Sequence, residues 1–141
     1  MAKAKEAGVQ DALHVHGYIS NAEVLEELHR SAISLLLTNK ASANGAHGIM
    51  TTKFFEVLGV EKPVLCVRSD EECLAQVIRE TNSGIAATSA EEVIAFILDK
   101  YKEWQQNGFT RQAVSAKQKQ LFTRQYQAGQ FEILLATMIH D

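Results

Sequence analysis

Hydrophobic residues follow two alternating patterns along this chain, short apolar runs and longer segments with an apolar residue every three or four positions. Apolar runs bounded by turn residues predict strands, and the longer spacing predicts helices with one buried face. The predicted strands lie at 13–17, 32–38, 63–67 and 84–87. The predicted helices lie at 3–8, 21–30, 51–59, 71–80, 90–106 and through most of 111–139.

This alternation predicts an α/β fold, a three-layer Rossmann-like parallel sheet flanked by helices. The run at 32–38 is so apolar that it predicts a strand covered on both faces. We predict one Rossmann-like domain over residues 1–108 and a C-terminal helical extension over 109–141, whose apolar residues are spaced for one helix face. Tyr101 and Trp104 fit the core side of the helix before that extension.

Composition and charge narrow the function classes. The chain has 141 residues, of which 46% are hydrophobic, and a net charge of −3, which argues against a dedicated nucleic-acid-binding protein. No apolar run approaches the roughly 18 residues of a membrane span, and residues 1–8 lack the apolar core of a secretion signal. Cys66 and Cys73 lack CxxC spacing and are expected to be free thiols, so the predicted location is the cytoplasm.

The predicted helix near Thr51 begins differently from the others. Three other helix starts carry a Ser or Thr followed three residues later by Glu, the capping-box pattern. These are Ser20 with Glu23, Ser69 with Glu72, and Thr88/Ser89 with Glu91/Glu92. The helix in question opens with Thr51, Thr52 and Lys53 and supplies no acid. Because a helix N-terminus has unpaired N–H groups and a partial positive charge, the sequence predicts an anion there, with phosphate as the candidate.

Thr52, Lys53 and Glu56 share one face of this helix, and the apolar residues among them form the opposite, core-facing stripe. Glu56 lies about one helical turn, roughly 5.4 Å, beyond the predicted anion. Its carboxylate could therefore accept hydrogen bonds from both hydroxyls of a ribose. The simpler alternative is a solvated Lys53–Glu56 ion pair with Thr51 as an ordinary N-cap, and the helix chemistry alone leaves both open.

The histidines are weaker candidates. His14 and His16 share a face of a predicted strand, but no third ligand lies near them, so we expect no metal site and no cofactor. His47 lies between two glycines in the loop before the Thr51 helix. There it is either a hydrogen-bond donor to a phosphate or sugar or a solvated loop residue.

These features together resemble the C-terminal half of a GT-B glycosyltransferase, over residues from about Val9 to Glu103. The most specific part is Thr52-Lys53-Phe-Phe-Glu56-Val-Leu-Gly-Val-Glu-Lys62-Pro63-Val-Leu, which is similar to that family's Lys-hydrophobic-Phe-Glu-Tyr-Leu signature followed by Lys-Pro. Other segments agree in order: Leu13-His-Val-His-Gly with Glu23-Val-Leu, Ser31-Ala-Ile-Ser-Leu-Leu-Leu, and Thr81-Asn-Ser-Gly84-Ile.

The resemblance implies that the chain binds a nucleotide-diphosphate-sugar, the donor in transfer of a sugar to an acceptor hydroxyl. It matches Glu56 to the acid that binds the ribose hydroxyls. The residues that it places at the donor diphosphate and sugar are Gly48, Thr51, Thr52 and Lys53, and His47 beside them is a further candidate. It implies no catalytic residue on this chain, because the acceptor site and the catalytic base of inverting members belong to the N-terminal half.

Two departures limit what the resemblance implies. Many relatives carry two glutamates eight residues apart, and Gly48 stands where the first, sugar-contacting one is expected, which leaves the donor sugar open. The strands that open a full C-terminal half have no counterpart, and neither has the N-terminal half, so we expect a fragment that does not transfer sugar alone. As a hypothesis, a second copy fills the sheet edge left by the missing strands, as a homodimer or by strand exchange.

Several alternatives stay open at this point. Nucleotide-sugar 2-epimerases share the architecture and the ribose glutamate, whereas a non-catalytic α/β interaction module would use the Thr51 helix only structurally. The stretch from Trp104 to Phe131 has basic residues and no acids. It predicts either the outer face of an amphipathic helix or contact with a membrane surface, which would place the protein peripherally at the inner face of the membrane. The basic residues are Arg111, Lys117, Lys119 and Arg124.

Overall fold

The computed structural model describes residues 2–38, 50–67 and 72–139. In chain order the helices and strands are α1 (Ala2–Glu6), a 3-10 helix (Gln10–Ala12), α2 (Asn21–Arg30), β1 (Ser34–Leu37), α3 (Thr52–Val60), β2 (Val64–Val67), α4 (Glu72–Thr81), β3 (Gly84–Ala87), α5 (Ala90–Asn107), α6 (Ala116–Gln120) and α7 (Arg124–Ile139). Their bounds agree with the predicted elements to within a few residues, except at residues 13–17.

The sheet consists of three parallel strands in the order β1-β2-β3. Ser34 pairs with Val64, and Val64 pairs with Gly84, so the three strands begin at the same level of the sheet. α3 lies between β1 and β2 along the chain, and α4 lies between β2 and β3, as parallel neighbours require. The predicted α/β fold, a parallel sheet flanked by helices, is confirmed.

The core lies between one face of the sheet and the helices α3 and α4. Its buried side chains are Leu36, Phe54, Val57, Leu58, Val64, Cys66, Leu74 and Ile78. Strand residues alternate between faces, so the buried Leu65 and Ala87 point to the other side. α5, which contacts β2 and β3, supplies the second helical layer there.

β1 is an edge strand, and two predictions about this edge are wrong. Residues 13–17 form no strand; they are irregular backbone after the 3-10 helix. No described strand pairs with them, and a strand needs such a neighbour. β1 is also covered on one face only. Leu35 and Leu37 are 58% and 74% exposed, although the apolar run predicted cover on both sides. The run identified the strand correctly but could not reveal which of its faces is packed.

The C-terminal residues are helical, as predicted, but α7 buries no apolar face. Tyr126 is half-buried, and the other large apolar side chains are exposed; they are Phe131, Ile133, Leu134, Leu135, Met138 and Ile139. Tyr101 and Trp104, predicted on the core side of α5, are also about half exposed and stack on each other with ring centroids 6.2 Å apart. Spacing predicts an apolar stripe but not what covers it. The division of the chain at residue 108 stays a prediction.

Candidate functional site

α3 begins without an acid in its first turn, as predicted. Its N-cap residue Thr51 is extended, with φ −70° and ψ 133°, and the Thr51 side chain makes no capping hydrogen bond. By contrast, Ser20 and Glu23 form a complete capping box at α2, and the Ser89 hydroxyl accepts a hydrogen bond from the Glu92 N–H at 3.2 Å at α5. The Phe54 N–H donates to the Thr51 carbonyl at 3.1 Å, so the Thr52 and Lys53 amides, which no described side chain caps, are the ones available to an anion. The Ser69–Glu72 pattern begins outside the described residues.

The predicted faces of α3 are confirmed. Phe54, Val57 and Leu58 are buried in the core, whereas Lys53 and Glu56 are exposed. Both exposed residues line a cleft of about 460 Å³ between α2, β1 and α3. No salt bridge joins Lys53 to Glu56, or either of them to another described residue. The ion-pair alternative is therefore not what the described part of the chain shows.

The wall of this cleft is mainly apolar. Its apolar side chains are Ile19, Val24, Leu28, Ile33, Leu35, Leu36 and Val57. A cleft of this volume, with an apolar wall and few polar groups, is typical of small-molecule sites. The ammonium group of Lys53 and the carboxylate of Glu56, one helical turn apart, give it one cationic and one hydrogen-bond-accepting group. Such a cleft can bind a ligand that combines an anionic group, hydroxyls and a ring.

The structure adds three polar residues to this cleft that the sequence did not single out as site residues: Glu27, Ser31, whose hydroxyl donates to the Leu28 carbonyl at 2.8 Å, and Ser34. Ser34 is only 6% exposed, and its hydroxyl has no hydrogen-bond partner among the described residues. Glu27 reaches the cleft from α2 and accepts a hydrogen bond from Arg30 at 3.3 Å. Ser34 had a detectable signal, because it interrupts an otherwise apolar strand. Glu27 had none, since it is one of several charged residues on an amphipathic helix.

The remaining predicted site residues divide into two groups. Thr51 and Thr52 lie at the start of α3 but do not line the cleft. His47 and Gly48 lie outside the described residues, so their donor-site roles stay predictions. Within the described ranges, no group of three or more His, Cys, Asp or Glu side chains is arranged to hold a metal ion.

Comparison with known proteins bears on the chemistry of this cleft. The sequence model of a family described as glycosyl transferase-like matches residues 3–131, which is most of the chain. The chain belongs to the glycosyl transferase-like family. Among curated proteins and among solved structures, nothing matches. Family membership confirms the expected glycosyltransferase domain, while the narrower GT-B assignment stays a prediction.

Two features of this glycosyl transferase-like chain concern the predicted membrane contact: its helices and the basic residues between Trp104 and Phe131. No described helix is long and apolar enough to cross a membrane. Two of the basic residues between Trp104 and Phe131 have partners within the protein. The Lys119 ammonium lies 2.6 Å from the Glu61 carboxylate, and the Arg111 guanidinium lies 5.4 Å from the centre of the Phe109 ring. Membrane contact and cytoplasmic location both stay predictions.

Proposed function

We propose that this chain is the part of a glycosyltransferase that binds a nucleotide-diphosphate-sugar, in an enzyme that transfers the sugar to an acceptor hydroxyl. The observation that carries the proposal is a start of α3 without a Thr51 capping hydrogen bond, beside a cleft lined by Lys53 and Glu56, neither of which forms a salt bridge with a described residue. Membership of the glycosyl transferase-like family supports the reaction class.

Each group at the cleft has a role in this proposal. The diphosphate binds at the Thr52 and Lys53 amides in the first turn of α3 and is neutralised by the Lys53 ammonium. Glu56, one turn further along the helix, accepts hydrogen bonds from the ribose hydroxyls. The apolar wall of the cleft covers the faces of a ring that the polar groups do not contact. Together these contacts distinguish a nucleoside diphosphate from a simple phosphate.

In the transfer, the acceptor oxygen forms a bond to the anomeric carbon of the sugar while the bond from that carbon to the diphosphate breaks. The acceptor proton passes to a base, and negative charge develops on the departing diphosphate. The amides of α3 and the Lys53 ammonium stabilise that charge because they already point at it before the reaction. Since the resemblance assigns the acceptor site and the base to a separate N-terminal half, we expect this chain, assayed alone, to bind the donor without transferring the sugar.

Calorimetric titration with uridine diphosphate, guanosine diphosphate and inorganic pyrophosphate tests the proposal. Glu56→Ala is expected to weaken nucleoside diphosphate binding roughly tenfold or more, because hydrogen bonds to a charged group are lost, and to leave pyrophosphate binding unchanged. Lys53→Ala is expected to weaken all three. Lys102→Ala on α5 and Glu26→Ala on α2 are matched controls, since both residues are exposed and lie outside the cleft.

The other functional alternatives give different results in the same experiment. If neither nucleotide binds, or if binding is unchanged in both cleft variants, the chain is a structural α/β module instead. If NMR shows that an added nucleotide-sugar changes configuration at its sugar without an acceptor, the chain is an epimerase of the same architecture. Either result would overturn the proposed donor role.

A further inference from the structure

A second cleft, of about 400 Å³, lies at the other end of α3 from Lys53. Its walls come from the last residues of α2 and α3, from Lys62 before β2, and from residues 109–111 after α5. Along α3, Val60 lies roughly 10 Å beyond Lys53. The two clefts share no lining residue, and every residue that lines the second belongs to the described ranges. This basic cleft is therefore separate from the one assigned to the nucleotide.

The basic cleft has more positive than negative charge. Its nitrogen-bearing side chains are His29, Lys62 and Arg111, and none of them forms a salt bridge with a described residue. The only acid in its lining is Glu61, whose carboxylate lies 2.6 Å from the Lys119 ammonium. Because Lys119 balances Glu61, the Lys62 ammonium and the Arg111 guanidinium leave the cleft with a net positive charge.

Backbone carbonyls at the end of α3 do not take up this charge. A helix C-terminus carries a partial negative charge because its last carbonyls lack partners within the helix. Here the Gly59 carbonyl accepts a hydrogen bond from the Lys119 ammonium, and the Glu61 carbonyl accepts one from the Gln112 N–H, both at 3.4 Å. These carbonyls already have donors from residues outside the cleft lining. An acceptor for the cleft's own cations is therefore expected to come from outside the chain.

The surrounding structure holds the Arg111 guanidinium in place. Thr110 is fully buried, and its hydroxyl donates to the Ala32 carbonyl, while the Arg111 N–H donates to the Glu103 carboxylate at 2.8 Å. The guanidinium itself lies 5.4 Å from the centre of the Phe109 ring. A guanidinium is a planar fork of N–H donors that matches two oxygens of a phosphate. Because the fork is oriented before a ligand arrives, less free energy is lost in ordering it on binding.

We propose that the basic cleft binds the phosphate group of a small phosphorylated molecule. A phosphate monoester has up to two charges and three acceptor oxygens, enough for the Arg111 fork, the Lys62 ammonium and an N–H of His29. A carboxylate has one charge and two oxygens, which leaves one of these donors without a partner. The cleft has more room than a phosphate needs, and Val60 and Phe109 provide apolar surface for the rest of the molecule.

NMR titration of the full chain with glycerol 3-phosphate and with inorganic phosphate, at constant ionic strength, tests this site. The amide signals of Lys62 and of residues 109–111 are expected to shift and to saturate with both ligands. Arg111→Ala and Lys62→Ala should each weaken binding roughly tenfold, because a charge-assisted hydrogen bond is lost. Arg124→Ala and Lys117→Ala are the matched controls and should leave binding unchanged, since both residues are exposed and lie outside the cleft.

Two further variants test the charge balance of the cleft. Lys119 does not line the cleft, yet Lys119→Ala should weaken phosphate binding several-fold, because it leaves the Glu61 carboxylate unbalanced. Glu61→Gln removes that carboxylate and should not weaken binding. Lys53→Ala should also leave it unchanged, so a failure of this site and a failure of the proposed donor role give different results.

Three results would overturn the inference. The first is a wild-type chain whose signals do not saturate, or shift equally when chloride replaces phosphate. The second is binding of inorganic phosphate but not of glycerol 3-phosphate. The third is binding that is unchanged in Arg111→Ala and Lys62→Ala but lost in Lys53→Ala, which would place the phosphate at the start of α3. Circular dichroism with urea unfolding verifies the fold of each variant, and Lys62→Ala with Lys119→Ala decides the question if Arg111→Ala does not fold.

Discussion

A Cβ atom on Gly84 would lie 1.9 Å from the carbonyl oxygen of Val64 and 2.7 Å from two other backbone atoms of that residue. Gly84 begins β3 and pairs with Val64, so no flexible side chain can move aside to make room. We expect Gly84→Ala to lower the free energy of unfolding by about 3 kcal/mol or more, since β2 and β3 must separate. Urea unfolding followed by circular dichroism measures this change.

Gly59 provides the matched control for that substitution. It lies within α3, and a Cβ built there meets no atom within 4 Å. Gly59→Ala is therefore expected to raise the free energy of unfolding by up to about 1 kcal/mol, because alanine is the better helix former. If Gly84→Ala and Gly59→Ala lowered the free energy of unfolding by the same amount, β2 and β3 would not approach each other so closely at Gly84.

Glu103 makes the stability of the chain depend on pH. Its carboxylate accepts a hydrogen bond from the Arg111 backbone N–H at 2.8 Å and one from the Lys100 ammonium at 2.9 Å. These contacts hold the pKa of Glu103 below its usual range, with the Arg111 N–H as the larger cause. A carboxylate with a lowered pKa in the folded state contributes stability above its unfolded pKa, near 4.3. That contribution is lost as the pH falls through the folded value.

We expect Glu103→Gln to cost about 1 kcal/mol at neutral pH, because the charged partner of Lys100 is lost. The difference from wild type should stay constant above about pH 5 and shrink as the pH falls below the usual carboxyl range. Thermal unfolding of both proteins from neutral pH downward measures it. Glu26→Gln on α2 serves as a control without such a contact. A difference between Glu103→Gln and wild type that is the same at every pH would contradict this account.

At the scale of single elements, α3 is the helix whose stability and ligand binding should oppose each other. Thr51 occupies the N-cap position without a capping hydrogen bond, and the first turn carries no acid. Thr51→Asp should therefore stabilise the protein by about 0.5–1 kcal/mol, since it supplies both a cap and a favourable charge. The same carboxylate should weaken binding of a nucleoside diphosphate, because it occupies and repels the anion position.

Thr51→Asn separates these two effects, since asparagine caps a helix without adding charge. It should keep most of the gain in unfolding free energy and lose less affinity than Thr51→Asp. Urea unfolding and calorimetric titration with uridine diphosphate give the two quantities. If Thr51→Asp binds the nucleotide as tightly as wild type, the anion does not lie at the start of α3.

The elements show which parts of the structure the sequence could predict. α3 and its faces follow from local spacing, because Phe54, Val57 and Leu58 recur with the helical period. Residues 13–17 have a strand pattern of the same quality, yet they form no strand, because strand formation depends on a neighbour that local spacing does not specify. The cleft depends in the same way on how α2 packs against β1 and α3. Lys53 and Glu56 could therefore be predicted as candidates and Ser34 had a detectable signal, whereas the position of Glu27 in the cleft could not be predicted.

At the scale of the whole molecule, residues 109–123 tie the C-terminal segment to the sheet domain. Thr110 is fully buried, and its hydroxyl donates a hydrogen bond to the Ala32 carbonyl just before β1. The Ser115 N–H donates to the Thr81 carbonyl at the end of α4, with an N···O distance of 2.9 Å. The Phe122 ring packs beside the core, 5.8 Å from the Phe55 ring. These contacts reach the start of β1, the end of α4 and the surface of α3.

The folding unit is therefore expected to extend beyond residue 108, and shortened chains test this. A chain that ends at Gly108 loses the buried Thr110 and the packing of Phe122, so we expect it to lose several kcal/mol of unfolding free energy or its cooperative transition. A chain that ends at Thr123 keeps these contacts and removes only α7, whose large apolar side chains, apart from the half-buried Tyr126, are exposed. It should unfold cooperatively at nearly the same urea concentration as the full chain. Equal stability of the two shortened chains would place the boundary at residue 108 and make residues 109–123 an appendage of the sheet domain.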